Sequence, residues 1–370
     1  MKWSWKIGTV AGIGVYIHTT FLLLIGWVAV SYYLTHNTLA GSLQGIGFTL
    51  ALFGCVLLHE FGHALTAQRY GIKTRDITLL PIGGVARLEK MPDKPVQEFW
   101  VALAGPAVNV VIAIGLFVWL QATDTLQPLL NLSVTSGSFL MRLLAVNLSL
   151  AIFNLVPAFP MDGGRVVRAL LAMRLEYTRA THIAALLGQG LAFVFGFIGL
   201  FTNPFLMFIA LFVWIGAAQE ASMVQMKSAL GGIPVGRAML TEFHVLSLND
   251  PLSKVVGLIL SGTQHDFPVV ENEVVVGILT QNDLLLALAQ RGQDTPVSQV
   301  MQHEFQVTDL GEMLEPAFAR LQSCQCRTMP VLQHGQLVGL LTMENVTELL
   351  MIQSALEKAR QRIGRISFSQ

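Results

Sequence analysis

The sequence predicts a polytopic α-helical membrane protein that carries a C-terminal soluble α/β domain. Its 370 residues are 53% hydrophobic and only 12% charged, whereas soluble domains carry about 25% charged residues. The long apolar runs lie in the first 225 residues or so, and the remainder has the mixed polar texture of a soluble domain. An internal repeat in that remainder indicates two copies of one small α/β unit.

Six apolar segments are long enough for spanning helices, since a span needs about 20 mostly apolar residues. They are residues 17–35, 45–68, 97–120, 138–157, 183–201 and 204–222. A basic tip precedes the first segment, but no small-residue cleavage site is evident, so we expect no removed signal peptide.

Lysine and arginine set the predicted orientation. They occur at the N-terminus and in the segments after the second and fourth spans, and they are absent from residues 36–44 and 121–137. The positive-inside rule therefore predicts a multi-pass plasma-membrane protein whose N-terminus, basic segments and C-terminal domain are cytoplasmic.

Two short β-hairpins are expected beside the helices. Glycines 8, 12 and 14 stand among β-branched residues before the first span. In DITLLPIGGVARLE, residues 76–89, apolar runs flank a PIGG turn. This second hairpin follows the second span, so we expect it to be associated with the membrane.

The second predicted span contains HEFGH, which places metal-ligating side chains in an apolar helix. His59 and His63 are four residues apart and share a helix face, so both imidazoles can bind one zinc ion. Glu60 can then take a proton from water at the metal. Ionisable residues inside a span are costly and rarely incidental, which argues against a chance match. The best third ligand is Asp162 in NLVPAFPMDGGR, with capping of the following helix as its alternative role.

The internal repeat has an offset of 62 residues, from FPVVENEVVVGILTQNDLL at Phe267 to MPVLQHGQLVGLLTMENVTELL at Met329. Helices are predicted before each copy, at 251–262 and 312–323, and two units this small should pack as a pair. We expect a membrane domain (1–222), a linker (223–235), paired repeats (236–352, copies at about 236–290 and 297–352) and a tail (353–370).

The motifs resemble the site-2 protease family of intramembrane zinc metalloproteases, in the branch similar to the sporulation-type members. HEFGH, AGPAVN and NLVPAFPMDGG occur in the family's order over roughly residues 8–222, and GVYIHTTF and PIGG fit as well. The resemblance implies hydrolysis of a peptide bond in or near a transmembrane segment of a membrane-protein substrate. It also implies that the hairpin at 76–89 pairs with an extended substrate.

The same resemblance implies one Zn²⁺ per chain, held by His59, His63 and Asp162, with Glu60 and Asn154 as catalytic residues. Glu60 matches the general base, and Asn154 matches a position near the substrate backbone or the oxyanion. Close packing of helices is implied for Gly105, Pro106 and Asn109, and a structural role at the interface is expected for His18.

The repeats resemble a pair of CBS modules, which usually bind an adenosine nucleotide such as ATP or AMP between them. The resemblance implies nucleotide contacts from Thr280 and Asp283 in the first copy and from Thr342 and Asn345 in the second. Asn345 stands where the pattern has aspartate, so at best one site is intact. A CBS pair acting as a homodimerisation or docking module is the open alternative.

Three rival functions make different demands on the sequence. A CBS-regulated transporter or channel would need polar residues along several spans, and a metalloprotease with a soluble zinc domain would need an amphipathic HEFGH helix. The sequence has neither feature. A non-catalytic, substrate-binding pseudoprotease remains open. Zero net charge predicts no nucleic-acid partner, and three cysteines, Cys55, Cys324 and Cys326, form no disulfide framework.

Overall fold

The computed structural model describes residues 3–89, 92, 94–126, 133, 137–323 and 327–367. The chain divides into two compact units, Met1–Val224 and Gln225–Gln370. The first holds the apolar helices and a small sheet, and the second holds the repeated α/β elements. Cys55 is a buried free thiol, whereas Cys324 and Cys326 lie outside the described residues.

Helices dominate the first unit. They are α1 (Thr19–His36), α2 (Leu39–Arg69), α3 (Pro95–Ala122), α4 (Phe139–Asn154), α5 (Asp162–Ala172), α6 (Tyr177–Phe201) and α7 (Pro204–Leu230). By length and composition, four helices in the described part of the chain can cross a membrane, namely α2, α3, α6 and α7. The predicted membrane-protein class is therefore confirmed.

Two of the six predicted spans form shorter helices. Helix α1 has 18 residues and α4 has 16, so α4 rises about 24 Å against a hydrocarbon core of about 30 Å. Helix α4 ends at Asn154 because Pro157 follows within three residues and cannot continue a helix. Sixteen helical residues replace the predicted span of 138–157.

Four strands form one sheet in the first unit: β1 (Ser4–Val10), β2 (Ile13–His18), β3 (Thr74–Leu80) and β4 (Gly83–Leu88). Both predicted hairpins are present, and the parallel pairing of β2 with β3 joins them in the order β1-β2-β3-β4. Ile13, Val15 and Ile77 of the sheet pack against Phe61 and Ala64 of α2. The sheet therefore lies against the half of α2 that carries HEFGH, with β4 as an edge strand.

Helix α5 is tied to its neighbours by a buried ion cluster. The Arg168 guanidinium donates from Nε to Glu98 of α3 at 2.7 Å and from Nη1 to Glu220 of α7 at 2.5 Å. Arg168 is fully buried and Glu98 is 2% exposed. Because an uncompensated buried charge is costly, this cluster sets the position of α5 against two long helices.

The second unit contains α8 (Leu252–Ser261), β5 (Phe267–Glu271), β6 (Val274–Leu279), α9 (Gln281–Arg291), β7 (Thr308–Asp309), α10 (Leu314–Ser323), β8 (Thr328–Gln333), β9 (Gln336–Thr342) and α11 (Met343–Ser367). The predicted strand–turn–strand–helix unit is present twice, and the helices at 251–262 and 312–323 match α8 and α10 closely. Most of the predicted linker is helical, since α7 continues to Leu230, and most of the predicted tail continues α11.

The two hydrophobic cores of this unit do not follow the order of the repeats. One core contains residues between Leu246 and Met301. The other combines residues 230–238, which lie before the strands of the first copy, with α10, β8, β9 and α11. The isolated bridges show the same exchange, because Leu240 pairs with Leu340 and Ile278 pairs with Gln302. Each repeat is therefore completed by the segment that leads into the other one.

Candidate metal centre and active site

Three potential metal ligands meet where α2 approaches the start of α5. The Nε2 atoms of His59 and His63 are 3.1 Å apart, and Asp162 Oδ2 lies 3.2 Å from each of them. Helical spacing puts the two imidazoles one turn apart on one face. Asp162 reaches them because Gly163 and Gly164 let the chain before α5 fold tightly. A Cβ on Gly163 would lie 2.2 Å from the carbonyl oxygen of Val156.

The donor set fits a zinc ion. His63 Nδ1 lies 2.7 Å from the carbonyl oxygen of Val101, which can only accept, so Nδ1 carries the proton and Nε2 presents a lone pair. His59 Nδ1 lies 2.5 Å from Asn109 Oδ1, and the same holds for its Nε2. Two lone pairs and a carboxylate thus face one another in a buried site, an arrangement that requires a cation. Tetrahedral zinc with bonds of about 2.0–2.1 Å separates its ligands by about 3.3 Å, close to the observed spacing.

Helix α3 passes beside this cluster at Gly105. A Cβ there would lie 2.2 Å from His63 Nε2 and 2.7 Å from His59 Nε2. The resemblance assigned Gly105 to helix packing, and the structure gives the packing a specific consequence. Because Gly105 has no side chain, space remains in which a metal would be bound. The sequence did not predict this role of Gly105, because it depends on where α2 and α3 cross.

A cavity of about 370 Å³ opens beside the cluster and is lined by Glu60 and by residues 83–86 of the edge strand β4. The Glu60 side chain packs on Gly84, where a Cβ would lie 2.6 Å from Glu60 Cγ. Ala86 of the same strand lines the cavity beside Glu60. The carboxylate that neighbours the metal ligands is therefore held at the edge of a strand.

Two further side chains line the same cavity. Asn154 donates from Nδ2 to the carbonyl oxygen of Leu150 at 3.0 Å, one turn back in α4. Arg165 stands three residues after Asp162 and was not singled out from the sequence. Its buried Nε has no hydrogen-bond partner among the described residues. The sequence feature that could have placed Arg165 in the site is its spacing of three residues from Asp162, which puts both on one face of a helix.

His18 lies outside the ligand cluster. Its Nδ1 accepts a hydrogen bond from the backbone N–H of Thr20 at 3.3 Å and caps the N-terminus of α1. The expected structural role of this histidine thus takes the form of a helix cap.

The residues proposed for nucleotide binding form helix caps in the second unit. Thr280 Oγ1 lies 2.6 Å from Asp283 Oδ2 and accepts from the Asp283 backbone N–H. Thr342 and Asn345 form the same pair, also at 2.6 Å. Gln302 Nε2 donates to Asp283 as well, at 2.7 Å. In each repeat, the threonine and the residue three positions later are thus hydrogen-bonded to each other.

Comparisons with known proteins agree with these features. The profile of Peptidase family M50 matches residues 47–134 and 131–197, and that of the CBS domain matches residues 235–290. A zinc metalloprotease of Methanocaldococcus jannaschii is 34% identical over 280 residues, covering 75% of this chain and 78% of that protein. Stage IV sporulation protein FB of Bacillus subtilis is 31% identical over 135 residues, covering 36% of this chain and 43% of that protein.

Among solved structures, a site-2 protease from Methanocaldococcus jannaschii is 36% identical, with a TM-score of 0.43 over 59% of this chain and 95% of that one. The sequence relationships alone establish the family, because the relative that is 34% identical is matched over most of its length. The chain belongs to peptidase family M50, the site-2 protease family of zinc metalloproteases, and its C-terminal unit carries CBS-domain sequence.

Proposed function

We propose that this zinc metalloprotease hydrolyses a peptide bond in or near a transmembrane segment of a membrane-protein substrate. Its zinc ligands are His59, His63 and Asp162, and Glu60 is its general base. The observation that carries this proposal is the convergence of two imidazole lone pairs and a carboxylate, 3.1–3.2 Å apart, inside an apolar helix bundle.

The chemistry divides between the metal and two side chains. A zinc ion held by His59, His63 and Asp162 would act as a Lewis acid toward the scissile carbonyl and would lower the pKa of its bound water to about 7. Glu60 accepts the proton of the attacking water and passes it to the leaving amine. Its side chain packs on Gly84, which holds it at the cavity wall beside the ligands. Asn154 lines the same cavity and is the candidate contact to the substrate backbone or the oxyanion.

An extended substrate would bind as an added strand. Strand β4 is one of the two edge strands of the sheet, and it contributes Gly83, Gly84, Val85 and Ala86 to the lining of the cavity. Strand addition uses unpaired backbone groups of an edge strand and exposes peptide bonds that a helix hides. Substrates with helix-breaking residues near the cleavage site should therefore be preferred.

The orientation follows from the basic segments. Arg165, Arg168 and Arg174 follow the metal-ligating Asp162, and Arg69 and Lys73 follow HEFGH. By the positive-inside rule these segments, the N-terminus and the CBS unit are cytoplasmic in the plasma membrane. Water would then reach the site from the cytoplasm.

The CBS unit is the candidate regulatory module, with ATP or AMP as its ligand and a homodimer as the alternative arrangement. A ribose bound at Thr280 and Asp283 would have to replace the hydrogen bond between these side chains. Asn345 leaves the second repeat without the corresponding carboxylate. Titrating ATP and AMP against the purified protein tests this, and unchanged cleavage with bound nucleotide would refute regulation.

The decisive experiment compares wild type with Glu60→Gln in detergent. Zinc per chain and cleavage of a set of single-span substrates are measured for both proteins. About one zinc in each, with cleavage only by wild type and a loss of about 10²–10⁴-fold or more in Glu60→Gln, supports the proposal. Full cleavage by Glu60→Gln would refute the assigned base. Zinc in both without cleavage by either would favour a substrate-binding pseudoprotease.

A further inference from the structure

We propose that Asn147 is a positioning residue of the zinc site and acts on His59 through Asn109. The relay starts at the backbone carbonyl of Leu143 in α4 and ends at His59 Nδ1. The inference rests on the zinc site proposed above, and it assigns a role to a side chain that neither touches the metal nor lines the cavity.

The relay consists of successive hydrogen bonds. Asn147 Nδ2 donates to the carbonyl oxygen of Leu143 at 2.9 Å and to Cys55 Sγ at 3.3 Å. Asn109 Nδ2 donates to Asn147 Oδ1 at 2.9 Å. Asn109 Oδ1 then lies 2.5 Å from His59 Nδ1. Both asparagines are fully buried, so no water competes for these bonds.

The direction of every bond follows from the first one. A backbone carbonyl can only accept, so the group that Asn147 turns toward Leu143 must be its NH₂ group. The side-chain oxygen of Asn147 therefore faces Asn109, and Asn109 must donate to it from its own NH₂ group. Only the oxygen of Asn109 is then left for His59. The orientation of an amide, normally ambiguous between oxygen and nitrogen, is determined here by the chain of partners.

This order selects the histidine tautomer that a metal needs. With Asn109 Oδ1 as acceptor, the proton of His59 stays on Nδ1 and Nε2 presents its lone pair toward His63 and Asp162. If Asn109 turned over, its NH₂ group would face Nδ1 and favour a proton on Nε2, where the metal binds. His63 needs no relay, since its Nδ1 donates directly to the Val101 carbonyl.

Removal of the acceptor on Asn147 should therefore weaken zinc binding at a distance. In Asn147→Leu, a side chain of similar size offers nothing to Asn109, whose amide becomes free to turn over. Loss of an outer-shell partner of a metal-ligating histidine typically lowers metal affinity about 10–100-fold. Thr181→Val is the control, because it also removes a buried hydrogen-bonding side chain from a helix of the bundle, at a residue whose hydroxyl donates to the carbonyl oxygen of Tyr177 at 2.8 Å and does not line the cavity.

A second change distinguishes orientation from packing. Aspartate at position 109 has two acceptor oxygens and no donor. Either oxygen can accept from His59 Nδ1, so the side chain does not need a hydrogen bond to residue 147 to set its orientation. Asn109→Asp should therefore restore zinc affinity in the Asn147→Leu background to within about fivefold of wild type, a small fraction of the expected 10–100-fold loss. A cavity or packing defect left by leucine would not be repaired in this way.

The experiment measures zinc affinity by chelator competition and the visible absorption of the Co²⁺-loaded protein, for wild type and each variant in detergent. We expect Asn147→Leu to bind about 10–100-fold more weakly with an altered Co²⁺ spectrum, Thr181→Val to bind as wild type, and the double variant to recover. Wild-type affinity in Asn147→Leu, or no recovery in the double variant, would overturn the inference. If wild type itself bound no zinc, the proposed function would fail instead. Should Asn147→Leu not fold, Asn147→Ala removes the same acceptor and is judged by the same outcomes.

Discussion

Replacement of Gly105 by alanine tests whether the metal lies where the structure predicts. The added Cβ would lie 2.2 Å from His63 Nε2 and 2.7 Å from His59 Nε2. Ordinary contacts begin near about 3.4 Å, so His63 would have to retreat by about 1.2 Å. Zinc sites tolerate about 0.2 Å in bond length, so at least one Zn–N bond would be lost.

The helices cannot separate easily to relieve this contact. A Cβ on Gly62 of α2 would already lie 2.7 Å from the Ala104 carbonyl oxygen of α3, so the two backbones are closely packed. If a zinc site of four ligands is worth about 10–16 kcal/mol, one ligand contributes about 3 kcal/mol. Gly105→Ala should therefore lower zinc affinity about 100-fold or more.

The assay is zinc per chain by mass spectrometry, followed by chelator competition, with thermal melting in detergent to verify folding. Gly115→Ala is the matched control: it lies on the same helix, and its Cβ would have no neighbour within 4 Å. Both changes raise helix propensity by about 1 kcal/mol, so helix weakening cannot explain a difference. Wild-type zinc affinity in Gly105→Ala would refute the assigned position of the metal.

Three further outcomes are expected. Asp162→Asn should lower zinc affinity about 100-fold, measured by the same competition, because one of three protein ligands loses its charge. Gly84→Ala should lower cleavage roughly tenfold or more with zinc content unchanged, because the added Cβ would lie 2.6 Å from Glu60 Cγ and displace the general base; equal loss of zinc would point to misfolding instead. Arg168→Ala should destabilise the membrane unit by about 3–5 kcal/mol, seen as a lower melting temperature, because it leaves Glu98 buried and unpaired.

Local features of the site could be predicted from the sequence. The spacing of His59 and His63 is a property of one helix, so two ligands on one face follow from the pattern alone. Asp162 required a motif after a different helix, and the structure brings it within 3.2 Å of both imidazoles. The strands of each hairpin were likewise predictable, because their turns are local.

Features that depend on how helices cross could not be predicted. The role of Gly105 exists only because α3 passes over α2 at that residue, and the relay through Asn109 and Asn147 needs α3 and α4 in contact. The parallel pairing of β2 with β3 joins strands that two helices separate in the chain. A single sequence contains no local signal for such pairings, because each partner fits the pattern of its own helix or strand whichever element it contacts.

In the CBS unit, the segment that precedes the strands of each copy packs against the other copy. A substitution in that segment should therefore destabilise the copy to which it does not belong in sequence. Met239 lies before the strands of the first copy, yet it packs on Gly339 of the second, where a Cβ would lie 2.6 Å from its Sδ. Met301 lies before the strands β8 and β9 of the second copy and packs on Gly277 of the first, where the corresponding distance is 2.7 Å. The two contacts are equivalent under the repeat offset, so each serves as the control for the other.

We expect Met239→Ala to destabilise β8 and β9, and Met301→Ala to destabilise β5 and β6. Truncation of a buried methionine such as Met301 costs about 2 kcal/mol or more, which corresponds to roughly 30-fold faster amide exchange in the affected strands. Met239 is only partly buried, so its truncation should cost less. Hydrogen exchange with mass spectrometry on the full chain resolves the two sheets. If Met239→Ala accelerated exchange in β5 and β6 instead, each repeat would be stabilised by its own leading segment. The reciprocal pattern would mean that neither repeat can complete its core alone, because each contributes a segment to the other.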